Sequence, residues 1–134
     1  MKLTNDNPIV MVDDNPGDAE LAKICCERSA VRNPWLWFDH GAAFLEHLER
    51  VRAGSEVMPA LVLLDINMPL MSGMEVLTRV REDHYFRDLP IFCMLTSSGD
   101  PHDRAEATRL GASGFVTKPE HIADYVGFFD SLVG

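Results

Sequence analysis

Five short apolar runs alternate along the chain with segments whose apolar residues recur at helical spacing. The runs are Pro8–Val12 (PIVMV), Trp35–Phe38 (WLWF), Leu61–Leu64 (LVLL), Pro90–Leu95 (PIFCML) and Gly114–Thr117 (GFVT). Each is too short to be a helix. The first and third have no polar face, which predicts strands buried on both sides, as in a parallel sheet covered by helices on both faces. A helix is expected from about Pro16–Asp18, capped by Asn15 or Asp18, with Leu21, Ile24, Cys25 and Arg28 on one face. Gly41–Val51 puts Phe44, Leu45, Leu48 and Val51 on one side. Ser72 and Glu75 form a capping-box pattern ahead of Val76, Leu77 and Val80. Asp100 and Pro101 open a fourth helix with a thin apolar stripe of Ala105, Thr108 and Leu110, ended by Gly111. A helix that buries so little is expected to be loosely held and able to move. The last helix carries Ile122, Tyr125, Val126, Phe129, Leu132 and Val133, with Phe128 off the stripe and expected at the surface. Trp35 and Trp37 share one strand face and read as core packing under helices.

Five strands alternating with five helices predict a doubly wound α/β fold with a parallel sheet. Of the two common strand orders, 2-1-3-4-5 suits five strands and puts a ligand crevice between the first and third. Asp13 and Asp14 end the first strand and Asp65 ends the third. Thr96 and Lys118 end the two strands beyond Asp65. All five polar groups are therefore expected on one rim of the sheet.

Composition narrows the reading. The 134 residues, 46% hydrophobic and 25% charged, suit one domain with one core, about residues 8–133, and no output domain is expected after it. A net charge of −9, with 12 scattered lysines and arginines, argues against a nucleic-acid surface. No run approaches the roughly 18 apolar residues of a membrane span, and the polar start is no signal peptide. Cys25, Cys26 and Cys93 lack zinc-site spacing and read as buried free thiols in a reducing cytoplasm. His40, His47, His84, His102 and His121 have no distinctive setting and are expected at the surface.

Three carboxylates in one crevice repel each other, by roughly 4 kcal/mol for two charges about 4 Å apart at an effective dielectric near 20. They either take up protons or hold a cation. An all-oxygen set suits Mg2+, which keeps waters that a phosphate replaces. Lys118 adds a positive charge and Thr96 a hydroxyl donor, the groups a transferring phosphoryl needs around its oxygens. An aspartate is able to attack as nucleophile, giving an acyl phosphate. The pattern points to phosphoryl transfer onto Asp65.

VDDNPGD at Val12–Asp18, LLDINMPLMSG at Leu63–Gly73, LTSS at Leu95–Ser98 and KP at Lys118–Pro119 together resemble the receiver domain of two-component response regulators, a CheY-like fold. The resemblance covers about Pro8 to Val133. It implies that Asp65 accepts a phosphoryl group from the phosphohistidine of a sensor histidine kinase. It also implies Mg2+ held by the side chains of Asp14 and Asp65, by Asp13 through water and by the backbone carbonyl of Asn67. Lys118 would hold a phosphoryl oxygen, and Lys118–Pro119 would be a cis peptide. Thr96 would be the switch hydroxyl and Phe115 the aromatic switch residue, where the family often has tyrosine. DDNPGD, the Ala53–Pro59 loop and the lack of an output domain resemble small single-domain regulators partnered with phytochrome-type kinases. Such a domain is a phosphoacceptor rather than an enzyme. Its signal would leave through the fourth helix, fifth strand and fifth helix, to a partner protein or in a homodimer.

Two alternatives compete. A phosphohydrolase of the haloacid dehalogenase type also uses Asp, Thr or Ser, Lys and Mg2+. It needs a second Asp two residues after the nucleophile, where this chain has Asn67. A receiver-like binding module that is never phosphorylated would be free to lose the five rim groups, all of which are present.

Overall fold

The computed structural model describes residues 1–95 and 100–134. Its strands are β1 (Ile9–Val12), β2 (Trp35–Phe38), β3 (Leu61–Asp65), β4 (Ile91–Leu95) and β5 (Gly114–Thr117). Its helices are α1 (Pro16–Arg28), α2 (Gly41–Arg52), α3 (Gly73–Arg81), α4 (Pro101–Arg109) and α5 (Ile122–Asp130), with a 3-10 turn at His84–Phe86. All strand pairs are parallel, in the order β2-β1-β3-β4-β5, as the alternation predicts.

The period of two along each strand splits the core into two layers. Ile9, Met11, Leu61, Leu63, Met94 and Val116 pack with α1 and α5. Val10, Val12, Val62, Leu64, Cys93 and Leu95 pack with α2, α3 and Ala107 of α4. Both faces of β1 and β3 are buried along their whole length, which accounts for their unbroken apolar sequence.

The caps form where the sequence puts them. Asn15 caps α1 by accepting from the Asp18 N–H. Ser72 caps α3 through the Glu75 N–H, and Asp100 caps α4 through the His102 N–H. Gly111, at φ +103°, takes the left-handed turn that ends the α4 segment.

Packing departs from the periodicity in six places, one of them at the last helix, where Ile122 and Val133 of the expected stripe are exposed. The buried face of α1 is Ala19, Ala22, Cys25 and Cys26, while Ile24 and Arg28 are exposed. Two small residues let α1 approach the sheet closely; Leu21 is half-buried against the same layer, and Ile24 falls outside it. In α4 only Ala107 is buried, and Ala105 and Thr108 face solvent. The helix is indeed thinly packed, through a different residue. The tryptophans share a face, but β2 is an edge strand. Trp35 is half-buried and Trp37 is 41% exposed. Phe128 is half-buried against Phe92 and Phe129, because α5 packs on the sheet face that carries Phe92. His47 is buried against the Phe38 ring rather than at the surface, and burial lowers its pKa. The three cysteines are buried, and burial raises Cys26 and Cys93 to about 11, far from thiolate reactivity.

Candidate functional site

Asp13 follows Met11 by two and Asp65 follows Leu63 by two, so both aspartates keep the parity that faces α1 and α5. Both stay buried at the carboxyl edge of the sheet, with Asp13 at 0% and Asp65 at 3% exposure. β1 and β3 are adjacent, and this brings them together. Asp14, one residue further on, is exposed at the mouth. One carboxylate oxygen from each of Asp13, Asp14 and Asp65 lies within 4.8 Å of the other two.

Lys118 enters from the end of β5, with its N–H donating to the Leu95 carbonyl at 2.8 Å. Its Nζ lies 3.0 Å from Asp18 Oδ2, 3.2 Å from Asp13 Oδ2 and 3.4 Å from Asp65 Oδ2. One cation thus serves three acids, with a fourth close by. Burial opposes the charge on Lys118. The hydrogen bond to Asp18 and the charges of Asp65 and Asp13 outweigh it and hold the ammonium above its usual pKa.

Asp65 is set in the opposite sense. Burial pushes its carboxyl up to about 6, against the pull of the Asn67 N–H and the Lys118 charge, and the Asp13 charge adds to the rise. The Asn67 N–H donates to Asp65 Oδ1 at 3.0 Å, which leaves Oδ2 aimed at Lys118. Asp13 Oδ1 accepts from the Asn15 N–H at 2.9 Å. Asp13 Oδ2 lies near Nζ but outside hydrogen-bond geometry. It is the one buried side-chain polar atom without a partner among the described residues. Its charge is met by the Lys118 ion pair, but its hydrogen-bonding capacity is unused. An oxygen-only set of three carboxylates, one oxygen of which accepts no hydrogen bond, suits a hard divalent cation such as Mg2+.

The predicted residues therefore largely converge: Asp13, Asp14, Asp65 and Lys118 share one rim, and Asn67 lies beside Asp65. Thr96 falls outside the described residues, as does Ser98. Phe115 is half-buried in β5, packed on the α3–α4 layer with the Arg104 guanidinium 5.7 Å above its ring. The cis Lys118–Pro119 bond is not found: every peptide bond among the described residues is trans. Trans is the intrinsically favoured isomer of an X-Pro bond, and Lys118 still reaches all three acids. Sequence reasoning missed Asp18, which it treated only as a possible cap. Its place in the first turn of α1, directly after the acidic loop, was the signal available.

The family model for the response regulator receiver domain matches residues 9–127. The chain is 29% identical over 116 residues to the probable methanogenesis regulatory protein FilR2 of Methanothrix harundinacea, covering 87% of this chain and 74% of that protein. It spans under half the length of several other curated relatives. The bacteriophytochrome response regulator RtBRR is 34% identical, with a TM-score of 0.77 over 93% of this chain and 76% of that one. RPA3017, a response regulator in red light signaling of R. palustris, is 28% identical, with a TM-score of 0.81 over 93% of this chain and 90% of that one. The chain belongs to the receiver-domain family of two-component response regulators, whose general property is phosphorylation on an aspartate. No described helix is long and apolar enough to cross a membrane.

Proposed function

We propose that Asp65 is the phosphoacceptor and that the donor is the phosphohistidine of a sensor histidine kinase. The observation that carries this reading is the buried Asp65 carboxylate, its Oδ1 fixed by the Asn67 N–H and its Oδ2 sharing Lys118 with the Oδ2 of Asp13. Asp65 Oδ2 attacks phosphorus, the P–N bond to histidine breaks as the P–O bond forms, and the released imidazole nitrogen keeps the electron pair and takes a proton. Asp14 and Asp65 would hold Mg2+ by their side chains, Asp13 through water and Asn67 by its carbonyl. Bound there, the ion would supply neutralisation of the charge on the phosphoryl oxygens. Lys118 turns from the carboxylates to a phosphoryl oxygen.

Phosphorylation adds up to about two negative charges at this rim. Thr96 and Phe115 carry the change to α4, which is held by little more than Ala107. The α4–β5–α5 face is then read by a downstream protein or a second copy. Similarity to RtBRR and RPA3017 supports a phytochrome-type kinase as the donor. The receiver acts in the cytoplasm and has no turnover beyond its own phosphorylation and slow dephosphorylation.

The test is an intact-mass spectrum after incubation with acetyl phosphate and Mg2+. A gain of one phosphoryl group, lost with EDTA and in Asp65→Asn, is the expected result. No gain in the wild-type protein would overturn the proposal in favour of the unphosphorylated binding module.

A further inference from the structure

Asp13 carries four polar groups, and three of them are tied down. Its N–H donates to the Phe38 carbonyl at 3.1 Å, and its Oδ1 accepts from the Asn15 N–H. Its main-chain carbonyl accepts from the Trp37 indole Nε1–H at 2.8 Å. Only Oδ2 accepts no hydrogen bond; it is buried at the site, ion-paired with Lys118 at 3.2 Å. Two of the three ties come from consecutive residues of the edge strand β2, one through the backbone and one through a side chain. Edge position explains why the indole is available. No further strand covers Trp37, so its ring lies over the start of α1, in a groove with Pro16, Ala19, Glu20 and Lys23. The indole thereby spans the acidic loop from outside the sheet.

We infer that Trp37 is a positioning residue of the acidic site: its indole N–H holds the Asp13 main chain so that Oδ2 of Asp13, and Asp14 beside it, are preset to receive a divalent cation. This rests on the reading of the rim as a Mg2+ site and goes beyond it by assigning a role to an edge-strand tryptophan. The chain has two tryptophans, and they provide the control. Trp35 lies on the same strand and lines the same groove, but makes its contact with Phe129 instead of the acidic loop. Trp37→Phe keeps an aromatic ring and removes the donor. Trp35→Phe removes an indole that holds nothing in the site.

The experiment is a calorimetric Mg2+ titration of the wild-type chain, Trp37→Phe and Trp35→Phe, with melting temperatures in EDTA alongside. Trp37→Phe is expected to bind Mg2+ several-fold more weakly than wild type while melting in EDTA within a few degrees of Trp35→Phe, which binds normally. Equal Mg2+ affinity in Trp37→Phe and Trp35→Phe would overturn the inference. If Trp37→Phe does not fold, the Trp35→Phe protein still decides. Trp37 is then its only tryptophan, and its emission is expected to change on Mg2+ addition. An unresponsive emission at saturating Mg2+ would also overturn the inference. Failure of the phosphoacceptor reading is a separate outcome, seen as normal Mg2+ binding without uptake of phosphate from acetyl phosphate.

Discussion

Lys118 Nζ lies closer to Asp18 Oδ2, at 3.0 Å, than to Asp13 or Asp65. The lysine assigned to the phosphoryl group is thus held by an acid on the first turn of α1. To reach a phosphoryl oxygen it has to release that contact.

Asp18→Asn is therefore expected to speed phosphorylation by acetyl phosphate at saturating Mg2+. The pair is partly exposed, and such pairs are worth up to about 1 kcal/mol, so the gain is roughly two- to five-fold. A stopped time course read by intact mass measures it. A rate unchanged or lowered would show that Asp18 does not restrain Lys118.

Burial raises the Asp65 pKa from 3.8 to about 6. The folded state therefore holds this proton more tightly than the unfolded state. Stability falls as pH rises between those values, and the full cost is carried above the upper one. Asp65→Asn has no such cost, and Lys118 stays paired with Asp13 and Asp18. In EDTA the variant is expected to be about 1–3 kcal/mol more stable than wild type near neutral pH. The difference should close as pH falls through the window. Urea melts across pH test this, and a wild type as stable as the variant at pH about 8 would contradict it.

Gly73 opens α3 against the end of β3. A Cβ there would lie 2.3 Å from the Asp65 carbonyl oxygen and 2.6 Å from Ile66 Cα, both backbone atoms that cannot step aside. Gly73→Ala is expected to lose about 3 kcal/mol or more in denaturant melts and to weaken Mg2+ binding by displacing Asp65. A variant with wild-type stability would show that the strand end yields at no cost.

Leu70 has φ of +67° and its side chain is fully exposed, so it carries backbone strain without burying apolar surface. Asn tolerates the left-handed region better. Leu70→Asn is expected to add about 0.5–1 kcal/mol, a rise in melting temperature of roughly 2–5 °C. A fall would mean that the leucine contributes a contact in the isolated chain.

The five strands, the order of the sheet and the meeting of Asp13, Asp14, Asp65 and Lys118 on one rim were legible in the sequence. Short unbroken apolar runs that alternate with amphipathic helices fit strands buried between helices in a parallel sheet. With parallel strands, every residue that ends a run arrives at the same edge. Caps such as Ser72 with Glu75 were legible for the same reason: they are settled within a few residues. Other features were not, because they depend on which surfaces meet across long separations. Ala19 and Ala22 replaced Ile24 on the buried face of α1 because small residues allow close approach to the sheet. His47 became buried because Phe38 lies opposite it. Asp18 found Lys118, and Trp37 found the Asp13 carbonyl, only once α1 and the edge strand had closed around the end of β1. A pattern with a period of two or 3.6 states which way a residue points within its own element. What stands opposite it is decided by the packing of elements far apart in the chain.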